Sequence, residues 1–162
     1  MLSTREATSA DDAAIAALWT ASAADPTSWI AAPLSAEQVA ASRAAGMVWH
    51  LAEDEGLKGA AVGRRFGTLV QLLATADSAA PFYAVLDAAS SHWLAPGGAA
   101  TVFFVCRAGA LRERAWLDAL EVTTDTAIGR EPGDEQTERA PLYFQLVAPM
   151  ATLHTAAHAA EG

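Results

Sequence analysis

Hydrophobic positions along the chain alternate between two rhythms. Ile15, Leu18, Trp19 and Ser22 recur at helical spacing, and Ser9 with Asp12 predicts a capping box for a helix over about 10–23. Asp25-Pro26 ends it, and a loop carrying Trp29 and Pro33 follows. Ser35 and Gln38 form a second capping box, Leu34 and Val39 occupy the two positions of a hydrophobic staple, and Gly46 is placed to stop that helix. The rhythm then changes to strands. Residues 47–53 alternate, Asp54-Glu55-Gly56 is turn chemistry, 57–66 returns, and 68–75 is a further strand rich in Val and Leu. A short strand over 2–7 precedes the first helix.

Beyond residue 76 the pattern becomes strand–helix–strand. Asp77 or Ser78 caps a helix whose Phe82, Val85, Leu86, Ala89 and Trp93 share one face, and Pro96-Gly97-Gly98 breaks it. Residues 100–106 are a continuous apolar run, as expected for a strand buried on both faces. The segment 68–106 therefore predicts a right-handed crossover between parallel neighbours. A helix over about 109–119, a strand over 120–127, a charged loop over 128–140 and a last strand over 142–147 complete the order, the final two strands as a hairpin. Beyond Met150 only Leu153 is a large apolar anchor, so 151–162 reads as a flexible tail worth about 1 kcal/mol or less, and 1–150 as a single domain.

Length and charge narrow the picture. A chain of 162 residues buries roughly 70% of its unfolded surface, enough for a real core. The formal net charge of −9 disfavours nucleic acid and anionic membranes as partners. No apolar run approaches the ~20 residues of a spanning helix. Cys106 is the only cysteine and lies in an apolar strand, so it reads as a buried thiol. With no leader pattern at the start, the cytoplasm is the expected compartment. His154 and His158 have metal-ligand spacing on a helix, but two ligands without a third predict no metal site.

The element order, together with Glu6-Ala7, Asp11-Asp12 and the stretch Leu51-Ala52-Glu53-Asp54 turning into Lys58-Gly59-Ala60-Ala61-Val62-Gly63, resembles the GNAT superfamily of acetyl-CoA-dependent N-acetyltransferases. The resemblance covers roughly residues 2–148. It implies an α+β fold: a mixed sheet built of an antiparallel meander, a βαβ crossover and a C-terminal hairpin, with helices on both faces. It implies acyl transfer from acetyl-CoA to a small-molecule amine. Such chemistry needs a base, for which Glu53 and His50 are the candidates. The cofactor would lie along Leu72 and Leu73 and at the start of the third helix, at Ser78, Ala79, Ala80 and Phe82.

The family's phosphate-cradling loop, Arg or Gln, two residues, Gly, one residue, then Gly or Ala, falls on Asp77-Ser78-Ala79-Ala80-Pro81-Phe82-Tyr83, which has neither glycine nor arginine. Glycine lets successive N–H groups turn toward a pyrophosphate, and Pro81 removes one donor. The family's proton-donating tyrosine falls on Leu117, or on Trp116 after a one-residue slip. Arg64, Arg65 and Arg107 are the remaining sources of positive charge, Glu131, Asp134, Glu135 and Glu138 make an acidic loop able to attract an amine, and Trp29 lies in the loop that borders the acceptor cleft. A second reading is a non-catalytic GNAT-like domain that binds a small ligand or a protein; a homodimer is compatible with either reading.

Overall fold

The computed structural model describes residues 1–95, 97–128 and 143–161. Seven strands form one sheet in the order β1-β2-β3-β4-β5-β7-β6. These are β1 (Ser3–Glu6), β2 (Val48–Glu53), β3 (Leu57–Phe66), β4 (Leu69–Ala76), β5 (Thr101–Arg107), β6 (Thr124–Ile128) and β7 (Tyr143–Pro149). The helices are α1 (Asp12–Ala24), α2 (Ala36–Ala44), α3 (Ala79–Trp93), α4 (Arg112–Asp118) and α5 (Met150–Glu161). Strands β1 to β4 pair antiparallel, β4 and β5 run parallel, and β7 lies antiparallel between β5 and β6. This is the mixed sheet that the strand–helix–strand pattern predicts, with α3 as the crossover.

The period-2 alternation sorts side chains onto two layers. Trp49, paired across the sheet with Val62 and through it with Leu73, faces α1, where Trp19 meets Trp49 edge-on at 5.0 Å between ring centroids. Leu72 and Gly63 face α3. A Cβ on Gly63 would lie 2.5 Å from Trp93 Nε1, so only glycine lets α3 come this close to β3. The core joins both layers through Ile15, Val39, Leu51, Leu86, Phe104 and Leu146, all fully buried. No described helix is long and apolar enough to cross a membrane.

The α2 start is as its sequence dictates. Ser35 Oγ accepts from Gln38 N–H at 3.1 Å, and Gln38 Oε1 accepts from Ser35 N–H at 2.8 Å. Ser35→Ala removes one acceptor and is expected to cost about 1 kcal/mol, read as a shift in the urea midpoint at constant m.

Several boundaries differ from expectation. The first capping box is Thr8 with Asp11, one residue earlier than the predicted pair, and it opens a 3₁₀ turn at Ser9–Asp11 before α1. Arg5 fixes this choice by gripping both oxygens of Asp11, which holds that carboxyl well below the usual range. The sixth strand starts at Thr124, not residue 120, because Glu121 takes a left-handed conformation at φ 56° and turns the chain first. The predicted acidic loop with Glu131, Asp134, Glu135 and Glu138 lies outside the described residues.

The expectation of a frayed tail is corrected. Residues 150–161 form α5, with Met150, Leu153 and Ala157 buried. Their i, i+3, i+7 spacing is a core-facing stripe, and alanine, the best helix former, supplies the rest. Asp87 of α3 receives α5 between two histidines: His154 Nδ1 lies 2.9 Å and His158 Nδ1 3.0 Å from its two oxygens. The carboxylate raises the His158 pKa above its ordinary value.

Candidate functional site

Parallel strands β4 and β5 pair only at Leu69–Gln71 with Thr101–Phe103. Past that point they part, and the ladder groups of β4 from Leu72 onward have no β5 partner. The parting leaves a gap between the two strands. Here the chain fills it with its own loop. Asp25 ends α1 by accepting hydrogen bonds from Thr27 N–H at 2.9 Å and Thr27 Oγ1 at 2.7 Å, which folds residues 25–27 into a tight turn. The following residues, Ser28, Trp29 and Ile30, are all buried.

Trp29 occupies the gap. Its indole Nε1 donates to Ala74 O at 2.6 Å, taking a carbonyl of β4. Its ring stacks on Phe104 of β5 at 5.8 Å and 20°, and packs tilted on Phe82 of α3 at 6.0 Å. A single side chain thus bridges the two parted strands and the crossover helix.

Glu113 of α4 holds this plug in place and is 0% exposed. Its Oε1 accepts from Ser28 Oγ at 2.6 Å and from Thr75 Oγ1 at 3.0 Å, and its Oε2 accepts from Trp29 N–H at 3.0 Å. Arg112 supplies the counter-charge at 2.7 Å and reaches on to Asp25 at 3.1 Å and Ser22 at 3.1 Å. Arg107 donates to Ser28 O at 3.1 Å. The carboxylate is therefore paired and hydrogen-bonded on both oxygens, the condition under which a buried charge is tolerated. With both oxygens hydrogen-bonded, it is built to position a loop.

Only Asp77 and Ser78 link β4 to α3. The connection is two residues long, and α3 begins directly after it. The proposed cofactor contacts are dispersed around it. Leu72 is fully buried, on the α3 side of the sheet. Leu73 lies on the opposite, α1 side. Phe82 is fully buried against Trp29 and Trp116. Ser78 and Ala80 are exposed, with Ala79 half-buried between them. Ser78 caps α3 in backbone conformation, but its hydroxyl bonds to Asp77 at 3.1 Å instead of a helix N–H.

The proposed bases are not brought together. Glu53 is gripped by Arg5 at 2.9 and 2.8 Å on its two oxygens, so its lone pairs are committed to an ion pair. His50 turns to the other layer, where its ring lies 5.2 Å from that of His92 on α3. Burial, and then His92, lower its pKa to about 4. The unfolded chain therefore binds a proton there more readily than the native one. The stability that neutral His50 supports is complete above pH 6.5 and is lost as pH falls toward 4, by about 2–3 kcal/mol. His50→Gln is expected to show a smaller drop in urea midpoint between pH 7 and 4.5 than the wild type, which compares their acid sensitivities directly.

At the expected tyrosine position Leu117 is fully buried. The phenol nearby is instead Tyr83 of α3, whose hydroxyl donates to Trp116 O at 2.9 Å. Cys106 is buried, and burial raises its pKa. Of the three arginines, Arg65 is spent on the carbonyls of Gly67 and Gly97 and Arg107 on that of Ser28, while Arg64 lies over the Phe66 ring at 4.9 Å. They do not converge on one anion site.

No protein-family model matches the sequence, and no curated protein matches it. Solved structures do. An N-acetyltransferase from Staphylococcus aureus Mu50 superposes with a TM-score of 0.69 at 12% identity, over 93% of this chain and 99% of that one. A GNAT superfamily phosphinothricin acetyltransferase from Sinorhizobium meliloti in complex with AcCoA gives 0.63 at 19%, over 91% and 88%. A spermidine N-acetyltransferase from Vibrio cholerae in complex with CoA and spermine gives 0.64 at 9%, over 94% and 97%. The fold is GNAT-like. At these identities the likeness concerns the backbone, and the plugged gap of this GNAT-like chain is described by its own residues.

Open space borders the α3 start, where Leu2, Lys58, Ser78 and Ala80 line a hollow of about 280 Å³, and lies also beneath the first two helices. A cavity of about 340 Å³ sits between the sheet and the α1–α2 layer, walled by Trp19, Leu34, Met47, Trp49, Val62 and Leu73. Gln71 and Arg64 border it. Trp49 Nε1 and Ser42 satisfy one another at 2.8 Å, so the walls are apolar in effect.

Sequence reasoning missed Glu113, Arg112, Ser28 and Thr75. Glu113 had a readable signal: Ala110, Glu113 and Leu117 follow i, i+3, i+7, and all three are buried. A carboxylate on the apolar stripe of a short helix must have partners inside.

Proposed function

We propose that this GNAT-like domain works as a small-ligand-binding module rather than as a conventional acetyl-CoA-dependent acetyltransferase, with its ligand in the apolar cavity over β2, β3 and β4. The observation that carries this reading is Trp29, seated between β4 and β5 and bonded to Ala74 O at 2.6 Å. The two-residue β4–α3 connection and the committed Glu53 support it. A compact, largely apolar molecule suits the walls, and the Arg64 guanidinium at the border suits a carboxylate end.

The test is titration with small aromatic and branched-chain carboxylates, read by the fluorescence of Trp19 and Trp49. Saturable quenching, lost when Leu73→Trp fills the cavity, is the expected result. A flat response across the series, with that variant folded, would sink the cavity as a binding site.

A second reading is favoured by the structural neighbours solved with AcCoA and with CoA and spermine. It is acyl-CoA-dependent N-acylation of a small amine. It requires the Trp29 loop to leave the β4–β5 gap before cofactor enters, breaking the hydrogen bonds to Ala74 O and Glu113.

A further inference from the structure

Glu6 and His50 are direct cross-strand partners on β1 and β2. Over them stands His92, in the last turn of α3. The ligand atoms of the three side chains all lie within 4.8 Å of one another. His50 is 6% exposed, and its Nδ1 is buried with no hydrogen-bond partner. Neither the His92 ring nor the Glu6 carboxylate bonds to a described residue. Three ligating groups from three different elements thus meet without a side-chain partner among the described residues, and a buried imidazole nitrogen without a partner calls for one. Ala61, the β3 partner of His50, contributes no bulk beside it.

We propose that Glu6, His50 and His92 form a binding site for a zinc-class divalent transition-metal ion. Two imidazoles and one carboxylate suit Zn²⁺ and its neighbours over Ca²⁺ or Mg²⁺, which take oxygen ligands. Zn–N and Zn–O distances near 2.0–2.2 Å place tetrahedral ligand atoms about 3.4 Å apart. Glu6 and His92 are exposed and close that distance by side-chain rotation, while His50 stays fixed in the sheet. The C-terminal end of α3 adds a negative dipole beside the cation. With three protein ligands the fourth position is left to water on the solvent side. The site is separate from the His154 and His158 pair that the sequence analysis weighed, and it does not depend on the ligand proposed for the apolar cavity.

The test is calorimetric titration of the full chain, stripped with chelator, with zinc chloride, repeated with Co²⁺ for its visible absorption. The expected result is one ion per chain at about micromolar affinity or tighter, unmoved by millimolar Mg²⁺. His92→Ala, a change at an exposed position, should weaken it by about a hundredfold or more, and Glu6→Gln by about tenfold. A double variant, His154→Ala with His158→Ala, removes the other histidine pair and should leave the affinity unchanged. No binding up to millimolar zinc would overturn the proposal. So would binding that survives His92→Ala, or binding lost in the double variant, which would assign the ion to the Asp87 cluster.

Discussion

Glu113→Ala is expected to cost about 3–5 kcal/mol, the range for removing one partner of a buried ion pair. The change strips the acceptor from Ser28 Oγ, Trp29 N–H and Thr75 Oγ1 at once and leaves Arg112 facing a void. For a chain of this length the loss corresponds to a fall in thermal midpoint of roughly 10 °C. Glu113→Gln keeps one carbonyl oxygen but puts an amide donor where a second acceptor stood, so it should fall between wild type and Glu113→Ala. Loss below about 1 kcal/mol for the alanine variant would show that the carboxylate does not hold the 25–30 loop.

Trp29→Ala is expected to cost a comparable amount, about 3–5 kcal/mol, by a different route. It empties the space between Phe82 and Phe104 and frees Ala74 O from its donor. Because Glu113 accepts from the Trp29 backbone N–H and not from its ring, that bond survives and the loop stays anchored. The urea midpoint should therefore drop at constant m, with folding still cooperative. A Trp29→Ala variant as stable as wild type would place the indole outside the gap.

The fold was legible because its signals are local and redundant. The meander from residue 47 to 76 carries alternation and turn residues, and the α2 start carries a complete capping box; β2, β3, β4 and α2 each sit within two residues of their expected places. Composition concealed α5. In a run of alanines every face is apolar, so a stripe of Met150, Leu153 and Ala157 carries little contrast, and the docking partner Asp87 is distant in sequence.

The site was less legible, for physical reasons. That 77–83 holds no glycine was visible in the sequence, and α3 begins two residues after β4 ends. That Trp29 would enter the gap was not readable, because it depends on contacts with Ala74, Phe104 and Glu113, each from a separate element. His50 and Glu53 looked equivalent as bases on one strand. Register and a bulge at Ala52/Glu53 separate them, giving one to Arg5 and the other to His92.

Closure of the β4–β5 gap is tested most directly by calorimetric titration of the wild-type chain with acetyl-CoA at low salt. A phosphate-cradling loop offers several charge-assisted bonds worth about 1.5–3 kcal/mol each, and losing two converts a micromolar site to roughly millimolar or worse. The expected result is a dissociation constant of about millimolar or weaker. Micromolar binding, abolished by Ala80→Glu at the start of α3, would contradict the plugged gap and restore the acyltransferase reading.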